Sequence, residues 1–164
     1  MPSFELETRV PASSASVWRR VTAPAGINDE LRPFLRMTVP RPMRGRTIAD
    51  VTPGLRLGRS WLLIFGAVPF EYDDITIAEV ELGRRFLERS SMLSMRLWQH
   101  ERLITAAGGS CQVRDQITFE LRRPLARAPW LEGCLQTWLE RLFRHRHKRL
   151  VQHFRVLDRT SGAA

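Results

Sequence analysis

Hydrophobic and polar positions alternate strictly along the first segment of the chain. In residues 4–10, Phe-Glu-Leu-Glu-Thr-Arg-Val, every second side chain is apolar, which predicts a half-buried β-strand. Pro11 ends this strand, and Ser13 or Ser14 can cap a short helix after it. Residues 27–34 predict a second short helix before the proline-containing segment that follows.

A different pattern begins near residue 45, where runs of β-branched and aromatic residues are separated by glycine and proline. The runs predict strands over residues 47–51, 59–66, 72–81, 85–91, 95–106 and 110–122. The turns at residues 82–83 and 108–109 are short enough for hairpins, so we expect a largely antiparallel sheet of about seven strands.

The last third of the chain predicts one long amphipathic helix, because its apolar residues recur at steps of three and four. They are Leu135, Trp138, Leu139, Leu142, Phe143, Leu150, Phe154 and Leu157. Such a helix must bury its apolar stripe, and the concave face of the sheet offers the large apolar surface. The fold class is therefore α+β, with a curved antiparallel sheet wrapped round the C-terminal helix and two short helices after the first strand.

This element order resembles the START-like, or SRPBCC, superfamily, which includes polyketide cyclases and lipid-transfer domains. The resemblance covers essentially the whole chain, and its most specific segments are residues 83–88, 98–102, 109–115, 119–121 and 142–146. It implies a helix-grip fold with a ligand cavity. It implies function only weakly, because the superfamily contains carriers, receptors and enzymes.

The turn at residues 108–109 fixes which side chains of its hairpin face each other. If the turn has two residues, Arg102 lies opposite Asp115 on the same face of the sheet. The other facing pairs are Ile104 with Val113, His100 with Ile117, and Trp98 with Phe119. The alternate positions between residues 112 and 120 are polar, so we expect the face that carries Arg102 and Asp115 to point inward.

Three interpretations of this inward polar cluster remain open. Arg102 and Asp115 could form a structural ion pair that fixes the hairpin register, with His100 hydrogen-bonded nearby. They could instead be the polar anchor of a mostly apolar ligand cavity. In the third interpretation, His100, Asp115 and Arg102 are catalytic, with the histidine as a general base, although no activated nucleophile is evident beside them.

We expect a domain that binds or carries a lipid-, polyketide- or isoprenoid-like molecule rather than an enzyme. The residues predicted to line its cavity are Trp61, Phe65, Trp98, His100, Arg102, Asp115, Ile117, Phe119, Trp138, Leu142 and Arg146. The alternatives are an aromatase/cyclase- or dehydratase-type enzyme acting on a polyketide-like substrate, and an interaction module that uses the basic last helix. We predict no cofactor and no metal site, since Cys111 and Cys134 have no metal-ligand spacing.

The net charge of +9 comes almost entirely from arginine, and the arginines are scattered apart from a basic run at residues 141–149. This run leaves open a peripheral contact with anionic membrane, while nucleic acid is disfavoured because no aromatic residues interleave with the charges. Arg146 falls inside the apolar stripe, where it could snorkel to water or meet a ligand anion. We place His147 on the polar side of the helix.

Composition agrees with a globular domain, since 43% of residues are hydrophobic and 26% are charged. The N-terminus lacks a secretory pattern, and the most apolar run, residues 61–70, is about half the length of a membrane-spanning helix. We therefore expect a single cytoplasmic domain over residues 1–164, as a monomer or homodimer.

Overall fold

A seven-stranded antiparallel sheet and one long helix form the frame of the molecule. The computed structural model describes the backbone of residues 1–161 and the side chains of residues 1–128 and 130–157. The elements are β1 (Ser3–Val10), α1 (Ser14–Thr22), α2 (Pro24–Leu31), β2 (Leu35–Met37), β3 (Arg56–Ile64), β4 (Val68–Glu81), β5 (Arg85–Met92), β6 (Met95–Ala107), β7 (Ser110–Leu121) and α3 (Pro129–Ser161).

The strands lie in the order β1-β7-β6-β5-β4-β3-β2, and every neighbouring pair is antiparallel. The sheet curls into a half-barrel round α3, which confirms the predicted α+β class and the helix-grip architecture. Register shifts in the β3–β4, β4–β5 and β6–β7 pairs mark irregularities of the kind that bend strands and increase their twist. The curl gives the sheet a concave face that can enclose a cavity.

The predicted hairpin of β6 and β7 is confirmed residue by residue. Ala107 pairs with Ser110 at the turn, and Arg102 pairs with Asp115. Gly108 at the turn has a φ of 64°, a left-handed conformation that glycine adopts without strain.

Both helices predicted at the start of the chain are present, but α2 covers Pro24–Leu31 instead of residues 27–34, so both of its boundaries differ from the prediction. The Ser13 side chain accepts a hydrogen bond from the Ser16 backbone N–H, at 3.3 Å, and so caps α1. Helix α2 begins at Pro24 instead of residue 27, because proline fits the first turn of a helix, where no intrahelical partner for its nitrogen is needed.

The prediction of a strand over residues 47–51 is wrong. Residues Ile48–Asp50 form a 3₁₀ turn, and the Asp50 carboxylate accepts hydrogen bonds from the backbone and hydroxyl of Thr47. These local bonds replace the sheet bonds that a strand would need. The seventh strand is instead β2, which has only three residues and pairs with β3.

The core has two clusters of buried side chains, both packed between the sheet and α3. Leu150 and Phe154 of α3 belong to one cluster, while Leu139 and Phe143 belong to the other. Within residues 1–161, no helix is both long and apolar enough to cross a membrane.

Candidate functional site

A cavity of about 360 Å³ lies between the concave face of the sheet and helices α2 and α3. Most of its lining is apolar. The apolar lining includes Ile27, Leu31, Met37, Leu57, Leu62, Ile75, Ile77, Phe86, Met95, Trp98, Leu135, Leu139, Leu142 and Phe143. Phe70 of β4 and Trp138 of α3 also line the cavity but are partly exposed, so they lie where it opens to solvent.

The strands and α3 also bring charged side chains to this cavity. Asp73 of β4, Glu88 of β5, His100 of β6 and Arg146 of α3 all line it. Glu88 and His100 are partners across neighbouring strands, and 3.9 Å separates the Glu88 Oε2 and His100 Nδ1 atoms. A mostly apolar cavity with a few converging polar groups is typical of a small-molecule site.

Asp73 and Glu88 form a carboxyl pair in the cavity wall. Asp73 is only 3% exposed, and no donor among the described residues reaches its Oδ1 atom within hydrogen-bond distance. Burial and the nearby Glu88 carboxylate together raise the pKa of Asp73 well above its ordinary value. The Ser90 hydroxyl donates to Glu88 Oε1 at 2.7 Å. Asp73 therefore retains its proton under conditions where an exposed aspartate is ionised.

A third acidic residue in the lining, Glu71, has a structural role. Its carboxylate accepts hydrogen bonds from the backbone N–H groups of Tyr72, Leu93 and Ser94, and from the Ser94 hydroxyl. These bonds tie β4 to the turn between β5 and β6. Glu71 is thus a satisfied buried carboxylate, whereas Asp73 is not.

Behind the cavity, Asp115 is the centre of a buried charge network. Arg102 donates to both of its oxygens, from Nε to Oδ1 and from Nη2 to Oδ2, each at 2.7 Å. The Nε2 atoms of His100 and His147 lie 3.0 and 2.9 Å from Oδ1 and Oδ2. A carboxylate can only accept hydrogen bonds, so both histidines donate to it through Nε2–H.

Glu30 of α2 completes the network, because it is fully buried and binds two arginines. Arg102 Nη1 donates to both of its oxygens, at 3.0 and 3.1 Å. Arg146 Nε and Nη2 lie 3.2 and 3.1 Å from Glu30 Oε2. The Arg146 guanidinium also lies 4.7 Å from the centre of the Phe143 ring. The network therefore links the sheet to α2 and α3.

The pKa values in this network follow from competition between burial and pairing. Burial alone would raise the pKa of Asp115, but the charges and hydrogen bonds of Arg102 and His100 hold it well below its ordinary value. Burial likewise acts to lower the pKa of Arg102, and Asp115 and Glu30 outweigh it, so that pKa is raised. For Arg146, burial prevails over the attraction of Glu30, and its pKa is lowered.

Five of the residues predicted to line the cavity do so in the structure. They are Trp98, His100, Trp138, Leu142 and Arg146. Arg102, Asp115, Ile117 and Phe119 are buried on the inward face of the sheet but do not line the cavity. The geometry of Arg102 and Asp115 thus favours the structural interpretation of the pair over direct ligand contact.

Trp61 and Phe65 lie away from the cavity, contrary to the predicted placement. Trp61 is 43% exposed on the outer face of β3, where its ring packs edge-on against Tyr72. Phe65 is 73% exposed in the turn after β3, with a φ of 49°. Both faces of β3 are apolar in sequence, so alternation alone could not identify the inward face, which carries Leu62.

On α3, the structure decides between the two alternatives for Arg146 and corrects the placement of His147. Arg146 does not snorkel to water, since its guanidinium is buried against Glu30. His147 does not lie on the polar side of the helix, because it is buried and bonded to Asp115. Arg149 of the basic run pairs with Asp29 at 2.9 Å, so the free basic surface of α3 is smaller than the sequence indicates.

Sequence reasoning missed the acidic residues Glu30, Asp73 and Glu88. The alternation of the strands could have indicated Asp73 and Glu88. Alternation that points Ile75 and Ile77 inward also points Asp73 inward, and Phe86 does the same for Glu88. Glu30 had no comparable signal, because only the packing of α2 brings it to Arg102.

The family of the chain follows from a match over most of its length. Residues 8–154 match the family described as Domain of unknown function (DUF8410). The chain belongs to this family. No functionally curated protein matches this chain.

Solved structures show the fold of this DUF8410 chain. Protein CV1439 from Chromobacterium violaceum superposes with a TM-score of 0.66 at 12% identity, covering 93% of this chain and 96% of that protein. A START superfamily protein from Mycobacterium smegmatis has a TM-score of 0.63 at 14% identity, covering 94% and 98%. DynU16, described as a protein of the dynemicin biosynthetic locus, has a TM-score of 0.50 at 21% identity, covering 87% of this chain and 46% of its own. The DUF8410 chain has the START-like, or SRPBCC, fold.

Proposed function

We propose that the protein binds or carries an apolar or amphipathic small molecule in the cavity between the sheet and α3. The observation that carries this proposal is the cavity itself, about 360 Å³ with an apolar lining and a few polar side chains. Its volume lies within the range of about 300–1,000 Å³ that is usual for ligand pockets. The molecular class is lipid-, polyketide- or isoprenoid-like.

The opening of the cavity supports reversible binding. Phe70 and Trp138 are partly exposed and line the same cavity, so a ligand that enters between them buries apolar surface of its own and of the protein.

We propose that the chain is a single domain and that it acts in the cytoplasm.

Native mass spectrometry of the purified protein, followed by a thermal-shift screen of apolar compounds, tests the proposal. A ligand at a hundredfold excess over its dissociation constant should stabilise the fold by about 2.7 kcal/mol. Leu142→Trp places a large side chain in the cavity and should abolish both the retained mass and the stabilisation. The matched control Leu82→Trp adds the same bulk at an exposed site outside the cavity and should change neither. Equal binding by both variants would exclude this cavity as the site.

A second candidate function is an enzyme that acts on a polyketide-like substrate, of the cyclase or dehydratase kind. The observation that favours it is the presence of Asp73, Glu88 and His100 together in the cavity lining. The pKa of Asp73 is raised, and a titratable group with a shifted pKa in a cavity often serves acid–base chemistry. Incubation with poly-β-ketone mimics and mass spectrometry of the products tests it. A substrate recovered unchanged would leave binding as the function.

The third candidate, an interaction module on the basic helix, has weaker support. His147 is buried, and Arg149 is paired with Asp29, so both are removed from the predicted basic surface. A vesicle co-sedimentation assay with anionic lipids checks whether the remaining exposed cations bind membrane.

A further inference from the structure

We propose that the Asp73–Glu88 pair binds a protonated amine, so that the ligand is an apolar molecule carrying a primary or secondary amino group. This inference rests on the proposed function, because it names the chemical class of the ligand in the same cavity. It starts from one atom. Asp73 lines the cavity, yet its buried Oδ1 atom accepts no hydrogen bond from the part of the chain that the structure describes.

A buried acceptor without a donor costs free energy, and natural proteins leave few of them. Ser60 and Ser90 lie close to Asp73 along the sheet, but their hydroxyls donate to Thr38 O and Glu88 Oε1. A ligand N–H or O–H group would satisfy this acceptor.

The charges of the described cavity-lining residues favour an amine over an anionic group. Arg146 is occupied by Glu30, and His100 donates to Asp115 through Nε2–H, so both of these lining residues already have an acidic partner. Among the described residues, the 3.9 Å approach of His100 to Glu88 is the one contact within 4 Å between a basic side chain and either carboxyl group of the pair. A ligand carboxylate or phosphate would add a further negative charge beside this acidic pair.

The same charges favour an amine over a hydroxyl. A hydroxyl has one donor, whereas a protonated primary amine has three and can bridge both carboxyl groups. Hydrogen bonds between two ionised groups are also about twice as strong as neutral ones. Burial and Glu88 raise the pKa of Asp73, and an ammonium group between the two carboxylates would replace the proton that they otherwise share.

Isothermal titration at pH 7 with decylamine, decanol and decanoic acid tests the proposal, because the three probes share one alkyl chain. We expect decylamine to bind about tenfold or more tightly than decanol, and decanoic acid to bind most weakly. The net charge of +9 would attract decanoate to the protein surface, so surface charge cannot produce a preference for the amine.

Substitutions of Asp73 and Glu88 test whether these two residues cause the preference for decylamine. Asp73→Asn should weaken decylamine binding about tenfold and leave decanol binding within about threefold. The matched control is Asp74→Asn, the next residue, whose carboxylate binds Arg56 and does not line the cavity; it should leave both affinities unchanged. Glu88→Gln, on the neighbouring strand, should repeat the loss and serves as the second variant if Asp73→Asn does not fold.

Two results would overturn the inference while leaving the proposed function standing. One is binding of decanoic acid or decanol as tight as that of decylamine. The other is an amine preference that survives both Asp73→Asn and Glu88→Gln. If none of the three probes binds, the inference and the proposed function both fail.

Discussion

Arg102 and Asp115 face each other across β6 and β7 and are joined by two hydrogen bonds of 2.7 Å in a bidentate arrangement. Both side chains are essentially inaccessible to solvent. The planar guanidinium and the carboxylate match in geometry, and Arg102 uses its remaining nitrogen to bind Glu30 of α2. The pair therefore holds the sheet and α2 in one arrangement, next to the cavity.

Removing Arg102 should be strongly destabilising. Arg102→Ala leaves Asp115 buried without its main partner and deprives Glu30 of one of its two arginines. Breaking a buried ion pair in this way costs about 3–5 kcal/mol. Urea denaturation monitored by circular dichroism measures the loss.

Arg114→Ala is the matched control for that experiment. Arg114 is the neighbour of Asp115 on β7 but lies on the outer face, about 3.9 Å from Glu5 and partly exposed. Its removal should change the free energy of unfolding by no more than about 0.5 kcal/mol. A loss for Arg102→Ala as small as this would show that water or a rearranged partner satisfies Asp115.

Replacing both members of the pair should not restore stability. An isolated buried ion pair can often be exchanged for leucines, because an apolar pair needs no partner. Here Arg102→Leu with Asp115→Leu would leave His100 and His147 without their acceptor. We expect the double variant to remain at least about 2 kcal/mol less stable than the wild type, since two buried donors lose their bonds. Full recovery in urea denaturation would contradict the network.

The hairpin of β6 and β7 was predictable because a two-residue turn and strict alternation determine its register. The long helix was predictable for a similar reason, a sustained period of apolar residues. Ile48–Asp50 was not, since its β-branched composition suits a strand while the side chain of Asp50 forms local bonds with Thr47. Strand β2 is too short to show a period at all.

The candidate site was predictable where the alternation of one strand or the period of one helix determines the face of a residue. Trp98 and His100 follow from the hairpin numbering, and Trp138, Leu142 and Arg146 follow from the apolar stripe of the last helix; all five line the cavity. Glu30 reaches Arg102 from α2 and His147 reaches Asp115 from α3, and no local pattern relates the positions of these two residues to the β6–β7 hairpin. The cavity depends on how far α2 and α3 stand from the sheet, which is a property of the whole packing.

Acid should remove the contribution of Asp115 to stability. Its folded-state pKa lies well below the ordinary value of 3.8. At pH values between these two pKa values, the folded state therefore binds fewer protons than the unfolded state. The contribution is present above the ordinary pKa and is lost as pH falls through the folded-state pKa. We therefore expect Asp115→Asn to be destabilised at pH 7 and the difference from wild type to narrow below about pH 4.

Urea denaturation of both proteins between pH 7 and pH 3 measures that narrowing. Glu7→Gln, at an exposed position of β1, is the control and should stay within about 0.5 kcal/mol of wild type throughout. A constant difference between wild type and Asp115→Asn across this range would show that the charge of Asp115 is not what the network needs.

Asp73 should make stability depend on pH in the direction opposite to that of Asp115. Its folded-state pKa is raised by burial and by Glu88, so between the ordinary and the raised value the folded state binds more protons than the unfolded state. Stability is then lost as pH rises through this interval, and Asp73→Asn, which has no proton to lose, should be more stable than wild type at pH 8. The difference in stability between Asp73→Asn and wild type should shrink towards pH 4.

The control Asp74→Asn should be less stable than wild type at pH 8, because hydrogen bonds from Arg56 lower the pKa of Asp74 and make its charge stabilising at that pH. Urea denaturation at pH 4 and pH 8 measures the stability of each variant. If Asp73→Asn is less stable than wild type at pH 8, the Asp73 carboxylate has a partner in the folded protein. A gain in stability, in contrast, would mean that the carboxyl pair is kept at a cost to the fold, as expected of a group that acts on a ligand.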